Sequence, residues 1–151
     1  MPRRQRAFTL IEVLVVVAIA GILIAVAAVN LFPSDEQLAR REAARVALAL
    51  EHARDQAWFG GRPTSVTFAD GRLREWRYAA NAWQPDGARD TALDAVRVTG
   101  LFIDGLPLSA GERLVFLPDG LGIPFRVAME VRGWPWAVEG DAAGAVRLVG
   151  R

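Results

Sequence analysis

From Val13 to Phe32 the chain runs for twenty residues without a charge, and no other feature restricts its fold so tightly. Thirteen of the twenty are Val, Ile, Leu or Phe, and Asn30 is the only strongly polar one. As a helix rising about 1.5 Å per residue, the run spans roughly 30 Å, the thickness of a bilayer's hydrocarbon core. Each large apolar residue favours insertion by about 0.3 to 0.6 kcal/mol near the helix centre, a sum on the order of several kcal/mol. A helix apolar on every side needs lipid or a packed protein interior around it. One carboxylate, Glu12, stands immediately before the run.

The charges on either side suggest an orientation. Arg3, Arg4 and Arg6 lie in a very short tail before the run, while Arg40, Arg41 and Arg45 follow it. The count ties, but the N-terminal three are packed against the membrane, so the N-terminus is expected to be cytoplasmic and the remainder exported. From Ser34 onward fifteen arginines face sixteen acids, a nearly neutral balance unlike that of a polyanion-binding domain. The chain has no cysteine, which excludes disulfides and thiolate metal sites. Its 151 residues suffice for one modest domain and an appendage.

Pro33 disfavours helical conformation at Phe32. Ser34 and Gln37 then have capping-box spacing and predict a second helix, running to about Trp58. Ala39, Ala43, Val46, Leu50, Ala53 and Ala57 recur along it at three- and four-residue spacings, a narrow face suited to packing on a sheet. Gly60, Gly61 and Pro63 end it. The rest has strand grammar. Residues 64–69 and 72–78 flank Asp70-Gly71, a favoured hairpin turn. Further strands are expected at 95–99, 113–117, 125–131, 136–139 and 145–149, with residues 80–94 as a long loop. The expected class is therefore α+β, a long N-terminal helix packed on a small antiparallel sheet domain. The segments are 1–7, 8–32, 33–59 and 60–151.

Glu12 admits three readings. In a secretory signal, Ala25-Val26-Ala27 would be the cleavage site, but Glu12 interrupts the start of the apolar region. In a simple anchor, Glu12 would sit near the interface, modestly favoured by the helix dipole. The third takes the neighbouring residues together: "AFTLIEVLVVVAIAGILIA" resembles the processing site and helix of type IV pilin-like proteins, including the pseudopilins of type II secretion. That resemblance implies that a prepilin peptidase removes a basic leader between Ala7 and Phe8, and that the new N-terminus at Phe8 is methylated. The family usually has Gly before the cut; here it is Ala7. It further implies that Glu12 of one subunit pairs with the N-terminal amine of its neighbour during filament assembly. A carboxylate in apolar surroundings costs several kcal/mol unless it neutralises or finds a partner. A charge unfavourable alone and satisfied by docking can set axial register. Gly21 and Pro33 would allow local bending of the helix.

The stretches "RLVFLPDGLGIPFRVAMEV" and "WAVEGDAAGAVRLVG" resemble the sheet domain of H-type minor pseudopilins, through Phe116, Pro118, Asp119 and Gly120. Near relatives are minor type IV pilins of the FimT and FimU kind, some of which bind DNA. Pro-Asp-Gly is also generic turn chemistry. The resemblance implies a structural subunit of a periplasmic pseudopilus that assists export of folded proteins across the outer membrane. It would be a single-pass protein of the bacterial inner membrane with its C-terminal domain in the periplasm. Its partners would be other major and minor pseudopilins, the prepilin peptidase, the inner-membrane assembly platform and, before assembly, the lipid bilayer. The alternative is a FimT/FimU-like minor pilin.

Other chemistry has little material. His52 is the only histidine and is expected at a solvated position beside Glu51, Arg54 and Asp55. No Gly-x-Ser-x-Gly elbow surrounds Ser34, Ser65 or Ser109, and Asp86, Asp90 and Asp94 lack EF-hand spacing. No catalysis, cofactor or metal is expected. Arg147 and Arg151 near the C-terminus make no patch, so DNA is not an expected partner. Of Trp58, Trp76, Trp83, Trp134 and Trp136, at least half are expected in the core, and Pro135 at an edge or bend.

Overall fold

The structure, a computed structural model, describes residues 9–31, 34–109 and 111–150. The chain divides into two units, one ending at Ser34 and the other beginning at Asp35. The first unit contains a single helix, α1 (Leu10–Leu31), which continues through Gly21. Every side chain described in it, positions 10 to 27, is exposed. Residues 10–27 are long and apolar enough to cross a membrane. Phe32 and Pro33 lie outside the described residues.

The second unit begins with α2 (Asp35–Gly60), which starts directly after Ser34. Asp35 and Glu36 occupy its first turn, where acidic groups complement the helix dipole. All six residues of the expected face are buried, and Ala47 joins them. Alanines let the helix approach the strands closely, while Val46 and Leu50, both fully buried, fill the space between.

Among the described residues nine strands form two antiparallel sheets that α2 packs against. The four-stranded sheet has the order β3 (Ala82–Ala92), β2 (Arg72–Ala79), β1 (Thr64–Ala69), β6 (Leu114–Phe116). The five-stranded sheet has the order β5 (Leu106–Pro107), β4 (Val96–Ile103), β7 (Phe125–Val131), β8 (Trp134–Gly140), β9 (Val146–Gly150). Val66, Leu73 and Leu114 from the first sheet, and Val127, Met129, Val131 and Val138 from the second, share one core with α2. Asp70 and Gly71 both have positive φ, 53° and 66°, the geometry of a two-residue hairpin loop.

The long loop expected at residues 80–94 is corrected: most of it is β3, an eleven-residue edge strand. Its turn, Ala80-Asn81, has φ of 50° and 58°, a left-handed conformation that alanine does not advertise. Edge position accommodates Pro85, and a register shift opposite Glu75 accommodates Gly87. Cross-strand contacts supply what propensity lacks. Arg72 Nε lies 2.8 Å from an Asp90 carboxylate oxygen, and the Tyr78 and Trp83 rings meet edge to face at 5.3 Å. Pro135 pairs with Glu130 near the start of β8, beside the β7–β8 turn.

The tryptophans also differ from expectation. None of the five is fully buried, and Trp136 alone among them packs against the main core. Trp58 and Trp134 are exposed, while Trp76 and Trp83 lie on the face of the four-stranded sheet that points away from α2. The core of this unit is built on a close-packed alanine-faced helix, which leaves little room for indoles.

Candidate assembly site

Thr9 precedes α1 directly, and the Glu12 N–H donates to its carbonyl at 3.0 Å and to its hydroxyl at 3.4 Å. Val13 N–H also donates to the Thr9 carbonyl, at 3.3 Å. Thr9 is thus the N-cap and Glu12 the third helical residue, the Thr-x-x-Glu spacing of a capping box. Sequence reasoning weighed Glu12 at the head of its helix and as a partner for another chain, but did not read the Thr-x-x-Glu spacing that signals the cap. The cap holds the carboxylate in the first turn, beside the helix's positive end and at the head of an exposed apolar rod. Ala7 and Phe8, the expected cleavage and methylation positions, lie outside the described residues.

At the far end of α2 the two sheets leave a crevice of about 220 Å³, bordered by Trp58, Leu117, Leu121 and Ile123 and floored by Phe116 and Phe125. Two loops shape it through carboxylates that accept from their own backbone. Asp119 accepts from Leu121 N–H, and Asp141 from Ala143 and Ala145 N–H. Arg54 of α2 ties the second loop down by donating to the Gly144 carbonyl. Gly122 is required where the loops meet, since a Cβ there would sit 2.4 Å from the Asp141 carbonyl oxygen. The Pro118-Asp119-Gly120 turn therefore belongs to the crevice wall. Trp58 and Phe59, stacked at 5.5 Å, are exposed beside it.

His52 is not simply solvated. Its Nδ1 lies 3.2 Å from a Glu75 carboxylate oxygen on β2, and Arg89 of β3 reaches the same ring. Glu75 is buried on the α2 side of the sheet, and burial pushes its carboxyl above the ordinary range, against the opposing pull of His52 and Arg89. His52 had to be bridged to a residue on a separate strand, which helix periodicity alone does not reveal. No group of three or more metal-ligating side chains occurs among the described residues.

The sequence matches known families over both units. Residues 2–28 match the prokaryotic N-terminal methylation motif, and residues 42–144 match the type II transport protein GspH. The chain belongs to the GspH family. Type II secretion system protein H of Escherichia coli K12 is 30% identical over 146 residues, covering 86% of this chain and 83% of the relative. The fold agrees with solved members. The minor pseudopilin EpsH of the Vibrio cholerae type 2 secretion system superimposes with a TM-score of 0.57 at 22% identity, over 74% of this chain and 96% of its own. The solution structure of Escherichia coli GspH gives 0.53 at 24% identity, over 74% and 87%. The chain is thus a pilin-like α+β protein homologous to type II secretion minor pseudopilins. These relatives are structural pseudopilin subunits. The methylation-motif match contains Ala7, Phe8, Thr9 and Glu12; the GspH match contains most of α2 and all strands except β9.

Proposed function

We propose that this chain is a minor pseudopilin that enters a type II secretion pseudopilus after its leader, residues 1–7, is removed between Ala7 and Phe8. The observation that carries the reading is α1 itself: an exposed, all-apolar helix with a capped carboxylate at its head, inside the methylation-motif match. Before assembly, residues 8–32 lie in the inner membrane with the N-terminus cytoplasmic, and residues 33–59 and 60–151 form the periplasmic part. Prepilin peptidase frees the Phe8 amine, which stays basic when methylated. On assembly, Glu12 pairs with the N-terminal amine of a neighbouring pseudopilin, and the apolar surface of α1 exchanges lipid for other subunits. The pairing converts an unfavourable buried charge into a charge-assisted contact, which fixes the axial position of the subunit. The inner-membrane platform supplies the site of this exchange. Export of folded proteins is the work of the filament; this subunit contributes position and surface.

Mass spectrometry of the intact protein and its N-terminal peptide, from a host with its native prepilin peptidase, tests the pathway. A mature chain beginning at methylated Phe8 is expected. A chain beginning at Ala28, or one left uncut, overturns it.

A further inference from the structure

The two sheets turn very different surfaces away from α2. On the five-stranded sheet the three arginines that lie within strands each have their own acid: Arg97 with Glu130 at 2.8 Å, Arg126 with Glu139 at 2.5 Å, Arg147 with Asp141 at 3.4 Å. On the four-stranded sheet, Arg72 and Arg74 share a single carboxylate, Asp90, at 2.8 and 3.6 Å. Arg113 on the same face pairs with no carboxylate among the described residues; its guanidinium carbon lies 4.5 Å from the Trp76 ring centroid and 5.7 Å from that of Trp83. The Arg113 Nε is buried without an acceptor among the described residues. The neighbouring Glu112 carboxylate is occupied, accepting from the Ser109 N–H at 2.5 Å.

We propose that this face docks an acidic polypeptide segment, with one of its carboxylates on the Arg113 guanidinium between Trp76 and Trp83. The inference does not depend on the assembly role given to Glu12. Charge complementarity identifies the occupant, because Arg113 pairs with no acid among the described residues, while Arg72 and Arg74 beside it share Asp90 and Asp94 adds only a longer-range pull on Arg72. The cation is also held in place before binding. Trp76 is fixed by donating its indole N–H to the Thr67 hydroxyl at 2.9 Å, so the ring against which Arg113 rests does not need ordering when a partner arrives. Half-buried Trp and Arg side chains are the types that carry most binding energy at interfaces. A planar guanidinium framed by two indoles suits a single carboxylate fork. A nucleic-acid backbone would need a row of free cations to bind at physiological salt, and Arg72 and Arg74 are tied to Asp90.

The test follows the five tryptophan indole N–H signals by NMR, in the full chain held in non-ionic detergent and assigned with Trp→Phe variants. The probe is a capped glutamate-rich octapeptide. Saturable shifts confined to Trp76 and Trp83 are expected, with none from the same peptide carrying glutamine for glutamate. Arg113→Gln should weaken the response about tenfold, the size of one charge-assisted hydrogen bond. Arg113→Lys, which keeps the charge and so guards against simple misfolding, should fall between the two. Arg126→Gln on the other sheet should leave it unchanged. The proposal is overturned by any of three results: no shift at millimolar peptide, an equal response in a folded Arg113→Gln protein, or an oligothymidylate of equal charge moving the same signals at lower concentration.

Discussion

The two helices begin alike and end in opposite environments. Each starts directly after a hydroxyl residue, Thr9 for α1 and Ser34 for α2, and the first turn holds one acidic residue in α1 and two in α2. Yet α1 buries none of its described side chains, whereas α2 buries a complete stripe of seven. The difference lies in pattern rather than in apolar content. On α2 the small residues recur at three- and four-residue spacing with arginines and acids between them, so one face is committed to a sheet and the other to water. On α1 no face is polar, the pattern of a helix that is surrounded by lipid or by packed protein. A helix's hydrophobic pattern thus states how much of its surface needs an apolar partner.

The largest effect expected from this contrast is on stability. Leu50→Ala, at a fully buried site, should destabilise the sheet-bearing unit by about 2–5 kcal/mol, read as a shifted denaturant midpoint in detergent-held protein. Leu14→Ala on α1 should leave that midpoint where it is, and a comparable loss there would end the distinction between the helices.

Glu12→Ala comes next, and it should act on assembly alone. We expect roughly tenfold less subunit in sheared filaments, the scale of a lost charge-assisted contact, with the denaturant midpoint unchanged. Normal incorporation would remove Glu12 from the assembly role.

The caps should matter less. Thr9→Ala and Ser34→Ala are each expected to cost about 1 kcal/mol, seen as faster hydrogen exchange confined to the first turn of the helix concerned. In α1 the change should also reduce filament incorporation, because Thr9 holds Glu12 in place; in α2 it should not.

The smallest effect is a pH slope. Burial holds the Glu75 carboxyl above its ordinary value near 4.5, so the native protein keeps that proton where the unfolded chain has released it. This contribution therefore makes stability fall as pH rises from that value through the raised one. Glu75→Gln should flatten the slope in denaturant midpoints measured from pH 4 upward; an unchanged slope would mean that Glu75 is not its source.

Some of the sheet-bearing unit was legible because local pattern and tertiary outcome agree. The buried stripe of α2, the Asp70-Gly71 hairpin and strand β7 are each specified within a short window, by periodicity, by a turn that prefers those residues, and by alternation. Strand β3 was not. Apart from Trp83 its residues are small, polar or turn-forming, and strand preference depends on what a neighbouring strand supplies. Here β2 supplies Arg72, Arg74 and Tyr78, each of which meets a β3 side chain across the edge. The Trp positions failed for a related reason: hydrophobicity marks a residue for contact but does not say with which layer.

The uninterrupted apolar helix, the carboxylate at its head and the face of α2 that meets a sheet could all be read from local pattern. All three rest on residues within a few turns of one another. Tertiary packing put Glu75 beneath His52, anchored the loop at Gly144 through Arg54, and rested Arg113 on Trp76 with no carboxylate paired to it among the described residues. Those contacts join residues 23 to 90 positions apart, and sheet register, set by the packing of the whole core, brings them together.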